Sequence, residues 1–264
     1  MIDPSIPCIH ELSNGELVQH DVYEATRFPL FASDFPGFPV FSLGGTLFLV
    51  RYREKAFAVS ARHILGTPMT DPSSLIIHER NRVPQGSKLD FVSAHSFEIP
   101  LSEMQSGPDD AFDLIVWEFQ TGQHGGVQWY RWDPNTICEC ETGNRLSVVG
   151  YLFDKSNITN IDENTSRAIV QISKFGFRHV RKAGDDQASL KAIALFPLDF
   201  VSKVQNFNGL SGAPVFDDDQ GKICGMVVRG GIDPKTGQAQ LDFVRLSGQV
   251  QVQKRLLFAM CVSA

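Results

Sequence analysis

Short apolar runs, broken by turn residues, recur along the chain. Thr46-Leu47-Phe48-Leu49-Val50 leads through the charged stretch Arg53-Glu54-Lys55 into Ala56-Phe57-Ala58-Val59-Ser60. Runs of this length, rich in β-branched and aromatic residues, predict a strand, a tight connection and a second strand. The same signature returns at residues 113–119, 146–151 and 168–172. Two further runs, 213–216 and 223–228, flank the acidic turn Asp217-Asp218-Asp219-Gln220-Gly221. Helical spacing emerges only in 250–264, where Leu256, Leu257, Met260 and Cys261 predict a short C-terminal helix.

Many short strands with scattered glycine and proline predict an all-β sandwich or barrel. Their number over 264 residues is high for one small barrel and fits two. Turn chemistry at Asp133-Pro134-Asn135 and at Glu141-Thr142-Gly143-Asn144 puts the boundary between residues 128 and 145. The expected division is 1–135 and 136–264.

Composition narrows the function classes. The chain is 42% hydrophobic and 20% charged, as ordinary globular proteins are, and long enough to bury a core without staples. Its charge, 24 − 30 = −6, argues against a nucleic-acid or anionic-membrane partner, since both need clustered Lys and Arg. No apolar stretch nears the roughly 18 residues that cross a bilayer. Residues 1–15 lack the basic start and apolar centre of a secretory leader. Five irregularly spaced cysteines, Cys8, Cys138, Cys140, Cys224 and Cys261, do not form a disulfide framework. A reducing, cytoplasmic setting is therefore expected. No metal-ligand spacing accompanies Cys138 and Cys140, so neither metal nor cofactor is expected.

The chemistry concentrates in Asn208-Gly209-Leu210-Ser211-Gly212-Ala213-Pro214-Val215-Phe216. Gly209 permits a sharp turn, Gly212 leaves the serine hydroxyl uncovered, and Pro214 suits a strand start. Such a turn can set the amides of Gly209 and Ser211 side by side, next to the hydroxyl. A nucleophile beside two N–H donors is what acyl transfer requires. Taken alone, a glycine-rich β-turn with an incidental serine explains the segment equally well. A serine is inert at neutral pH without a base. Of seven histidines, only His63 follows the second strand of a strong hairpin, in Val59-Ser60-Ala61-Arg62-His63-Ile64-Leu65. A carboxylate must then orient that imidazole. Asp113 directly precedes an apolar strand, whereas Asp109 and Asp110 lie in a loop after Gly107-Pro108.

In the order His63, Asp113, Ser211, these motifs resemble the chymotrypsin-like (trypsin-like) serine peptidases, above all the compact bacterial, HtrA-type branch without a PDZ domain. The resemblance spans roughly residues 40 to 250. It implies two packed six-stranded antiparallel β-barrels with the triad in the cleft between them. It further implies His63 as general base, Asp113 as its orienting carboxylate, Ser211 as nucleophile, and an oxyanion hole at Gly209 and Ser211. The substrate pocket would lie at Gln205 and along Val228, Arg229 and Gly230. Gln205 brings no fixed charge, so a strict preference for a basic residue is not implied. Arg229 would favour an acidic group or point to solvent. Three departures stand out: Arg62 and Ala213 replace smaller residues, and Leu210 replaces the aspartate that pairs with a new N-terminus in digestive members. Activation by such a cleavage is therefore not expected.

The resulting expectation is a serine endopeptidase acting on protein or peptide substrates without a metal. The competing reading is a catalytically silent or gated protein of the same fold that binds peptides. An α/β-hydrolase is disfavoured, because the glycine directly follows the serine and the order His-Asp-Ser is wrong for that fold. Neither substrate identity nor oligomeric state can be read from these residues.

Overall fold

The computed structural model describes residues 25–36, 38, 40–52, 55–66, 70–78, 91–98, 113–119, 129–132, 137–139, 141–153, 157–162, 165–169, 172–180, 191–195, 207–232, 235 and 239–246. The described chain is almost entirely strand. Among the described residues, the helical segments are two 3₁₀ turns at Arg62–Leu65 and Pro72–Ser74, and Phe153 also has 3₁₀ conformation. No described helix is long and apolar enough to cross a membrane. The C-terminal helix expected over 250–264 lies outside the described residues.

The first half contributes β1 (Thr26–Arg27), β2 (Leu30–Ala32), β3 (Val40–Phe41), β4 (Leu47–Tyr52), β5 (Lys55–Ser60), β6 (Leu75–His78), β7 (Phe91–Glu98), β8 (Ile115–Phe119) and β9 (Tyr130–Arg131). They form one nine-stranded sheet in the order β1-β4-β5-β8-β7-β6-β2-β3, with β9 added parallel to β4. The resemblance implied six strands here. The surplus is β1, β3 and β9, each only two residues long, which pair at the margins of the longer strands.

The second half contributes β10 (Arg145–Tyr151), β11 (Asn157–Asp162), β12 (Thr165–Ile169), β13 (Ile172–Val180), β14 (Lys191–Leu195), β15 (Pro214–Asp217), β16 (Lys222–Ile232) and β17 (Ala239–Arg245). Six of these close a barrel in the order β10-β13-β14-β17-β16-β15, while β11 and β12, among the described residues, pair with each other alone. Residues 168–172, expected as a single strand, divide between β12 and β13. The division follows from pairing: Ile169 pairs with Asn157 of β11, whereas Ile172 pairs with Tyr151 of β10. The chain leaves the first sheet after β9 and touches the barrel at Ile137, which bridges to Ile223.

Alternation, reset by a register shift beside Cys224, explains how one run serves two cores. Cys224 and Val227 of β16 pack inside the barrel with Leu146, Val148, Val215, Leu241 and Phe243. Ile223, Met226 and Val228 face the other way and join the core of the first sheet, alongside Val149 and Phe216. Burial on both faces accounts for the unbroken apolar stretch 223–228. Phe28, Leu30 and Tyr151 add a smaller cluster between the halves, with Phe28 and Tyr151 edge to face at 5.6 Å.

The connection after β5 is pinned to this core. Trp117, fully buried, donates from Nε1 to the Pro72 carbonyl at 2.9 Å. Asp71 caps the Pro72 turn, accepting from the Ser73 N–H at 2.8 Å and its hydroxyl at 2.7 Å. The Ser73 hydroxyl first, then its N–H, holds the Asp71 carboxyl below the usual carboxylate range. A lowered folded-state pKa means the contribution is complete above the unfolded value and is lost as pH falls through the folded one. The difference in urea midpoint between wild type and Asp71→Ala is therefore expected to hold near neutrality and narrow below about pH 4. A gap of unchanged size in acid would overturn this assignment.

Candidate active site

Strand pairing delivers two of the three candidate residues to one edge. The last pair between β5 and β8 is Ser60↔Ile115. Beyond it, β5 runs into the 3₁₀ turn that carries His63, and Asp113 stands just before β8. Buried Ile64 and Leu65 anchor the far side of that turn, and the Gly66 N–H donates to the His63 carbonyl at 3.0 Å.

Asp113 grips His63 twice. Its Oδ1 accepts from the His63 backbone N–H at 2.8 Å, and its Oδ2 accepts from ring Nδ1. An ionised carboxylate can only accept, so Nδ1 carries the proton and neutral Nε2 is left as an acceptor. Ser211 Oγ lies 2.7 Å from that Nε2. The imidazole side chain is 49% exposed and the carboxylate 19%, so the ring faces solvent while its partner is shielded.

Ser211 comes from the other half, on the turn that precedes β15. The Leu210 N–H donates to the Phe207 carbonyl at 3.1 Å, and the Gly212 N–H to the Val227 carbonyl at 2.7 Å. Gly209 has φ +103°, and a Cβ there would lie 2.5 Å from the Tyr151 carbonyl oxygen. Glycine is thus required by both conformation and space. The Asn208 carbonyl accepts from the Phe153 N–H at 2.8 Å. In a planar trans peptide, the Gly209 N–H then points the opposite way. Neither this N–H nor that of Ser211 has an acceptor among the described residues. Two unspent donors beside a hydroxyl can receive a developing oxyanion.

Of the residues expected to bind substrate, Gln205 lies outside the described residues. Val228, Arg229 and Gly230 stand together on β16, where a bulge inserts Val228 between the pairs Val227↔Phe243 and Arg229↔Asp242. The bulge brings the Val228 carbonyl to 3.5 Å from Ser211 Oγ. Arg229 is exposed, and its charge is met by a carboxylate: its Nε donates to Asp242 Oδ2 at 2.8 Å. At Gly230, a Cβ would overlap the Leu241 side chain and lie 2.9 Å from Phe207 Cβ, so the backbone packs directly on these residues.

The sequence reading missed Thr46 and Phe153. Thr46 reads as the first residue of a strand, yet its hydroxyl donates to the Gly209 carbonyl at 2.7 Å, 163 residues away. No local signal announces a contact of that range.

No family model matches the chain, and no curated protein matches it in sequence. Solved structures do match. A Glu endopeptidase is 14% identical, with 90% of each chain covered and a TM-score of 0.53. An inactivated protease paralogue of the scabies mite is 13% identical, with 90% of this chain and 96% of that one covered and a TM-score of 0.52. Both have the chymotrypsin-like serine protease fold. At these identities, the likeness is one of fold.

Proposed function

We propose that the chain is a serine endopeptidase that cleaves peptide bonds through an acyl intermediate on Ser211. One observation carries the reading: Asp113, His63 and Ser211 are joined in sequence by hydrogen bonds, with Nε2 2.7 Å from the serine oxygen. In this scheme, His63 Nε2 takes the Ser211 proton as Oγ attacks the scissile carbonyl. The N–H groups of Gly209 and Ser211 receive the resulting oxyanion. His63 returns the proton to the leaving amine, and water then repeats the sequence on the acyl-enzyme. Asp113 keeps the imidazole in the tautomer that the first step needs.

Leu210 is fully buried in the barrel core, which supports a site that does not depend on a zymogen-type ion pair at that position. The compact bacterial branch remains the reading for the chain as a whole. The few, irregularly spaced cysteines favour a reducing, cytoplasmic setting. Neutralisation of Arg229 by Asp242 favours a pocket selected by shape over one that seeks an acidic side chain. A silent binding protein is the second reading, because the fold also occurs in a structure described as an inactivated protease paralogue.

Labelling with a fluorophosphonate probe separates the two. A covalent adduct mapped to Ser211 is expected; folded protein that takes up no label would overturn the peptidase reading. Asp113→Asn is expected to fold normally yet slow turnover about 10⁴-fold, because the amide's NH₂ favours the wrong imidazole tautomer. A variant within tenfold of wild type would remove Asp113 from the scheme.

A further inference from the structure

Gly209 lies between two peptide units, and each is held by a different partner. The unit before it is fixed by the Phe153 N–H on the Asn208 carbonyl. The unit after it is fixed by the Thr46 hydroxyl on the Gly209 carbonyl. A glycine left to itself rotates readily, so the aim of its N–H depends on these two bonds.

Thr46 belongs to the first half but directs both its hydroxyl and its backbone N–H at the serine turn. Besides donating to Gly209, its hydroxyl accepts from the Tyr151 N–H at 3.0 Å. Its backbone N–H donates to the Ser211 carbonyl at 2.8 Å. Its carbonyl accepts from the Ser60 hydroxyl at 2.6 Å, just before the His63 turn. The residue is completely buried. Space is kept for the hydroxyl at Gly150, where a Cβ would lie 2.9 Å from Thr46 Oγ1. The branched Cβ restricts χ1, so the hydroxyl has little freedom to turn away.

We propose that Thr46 is a positioning residue for oxyanion reception. Its hydroxyl locks the Gly209 carbonyl and thereby keeps the Gly209 N–H beside Ser211. The inference rests on the acyl-transfer reading above. Valine has the shape of threonine but lacks the hydroxyl, leaving the Gly209 carbonyl and the Tyr151 N–H without this partner.

The test is the rate of fluorophosphonate labelling for wild type, Thr46→Val, Thr46→Ser and a stability control, Val148→Ala, whose site lies inside the barrel. Melting temperatures are recorded alongside. Thr46→Val is expected to lower the maximal labelling rate about 10- to 100-fold with little change in the half-saturating probe concentration. Thr46→Ser, which retains the hydroxyl, is expected to stay within about threefold of wild type. Wild-type labelling by Thr46→Val would overturn the proposal. So would equal slowing in Val148→Ala at a matched melting temperature, since that marks a general loss of structure. Should Thr46→Val fail to fold, Thr46→Ser decides: a rate within threefold supports the proposal, and a tenfold loss at an unchanged melting temperature overturns it. Absence of labelling in folded wild type is a separate outcome that overturns the peptidase reading and removes the basis of this one.

Discussion

Ser211→Ala and His63→Ala are each expected to lower turnover of a cleaved fluorogenic peptide by about four to six orders of magnitude, and the double variant is expected to be little worse than either. The reason for non-additivity lies in the hydrogen-bond chain. Without the hydroxyl, His63 Nε2 has no proton to take; without the imidazole, Ser211 Oγ remains a weak nucleophile. Each loss therefore disables the same step. Folding should be spared, because the Ser211 hydroxyl and the His63 ring sit at the open end of the site, and no described core cluster includes either residue. Initial rates and circular dichroism on the three variants check both halves of the expectation. Independent, multiplicative losses would mean that the two residues do not act as a unit.

Gly212→Ala is expected to cost about 3–5 kcal/mol of stability, far more than Gly221→Ala at about 1–2 kcal/mol. Both glycines have positive φ, +84° and +64° respectively, so the conformational penalty is similar. Their surroundings differ. A Cβ at Gly212 would overlap the Thr46 carbonyl and the Ser60 hydroxyl and lie 3.0 Å from the Ala61 nitrogen. One at Gly221 would meet nothing within 4 Å among the described residues. The first substitution thus pushes the serine turn away from the sheet that carries His63, whereas the second only strains a surface turn. Urea denaturation of the two variants gives the comparison directly, and equal losses would refute the close-approach argument.

The parts of this molecule that can be read from residue order share a physical character. Strands β4 and β5 are buried on both faces within the core of the first sheet, and β10 and β16 lie between that core and the barrel's, so their runs stand out. Strand β17 does not: Leu241 and Phe243 enter the barrel, but Asp242 between them pairs with Arg229 and dilutes the pattern. The run over 168–172 misled for a related reason, since apolar continuity does not reveal where a chain changes pairing partner. In the site, His63, Asp113 and Ser211 are visible because each sits at a strand end beside residues chosen for a turn or for burial. Thr46 and Phe153 are invisible because their roles exist only after residues far apart in sequence have met. The end of Gln205's account is different again, as that residue lies outside the described part of the chain.

The division of the site between the halves also bears on the order in which a ribosome makes this protein. His63 and Asp113 emerge first, at the ends of strands that can pair before residue 211 has been added. The nucleophile follows much later, and the barrel beneath it cannot close until β17 has joined β14 and β16. Domains tend to fold as units in order of synthesis. The growing polypeptide therefore carries His63 and Asp113 for a long stretch of synthesis before Ser211 can join them. His63, Asp113 and Ser211 can come together with the barrel closed only after β17 has been made.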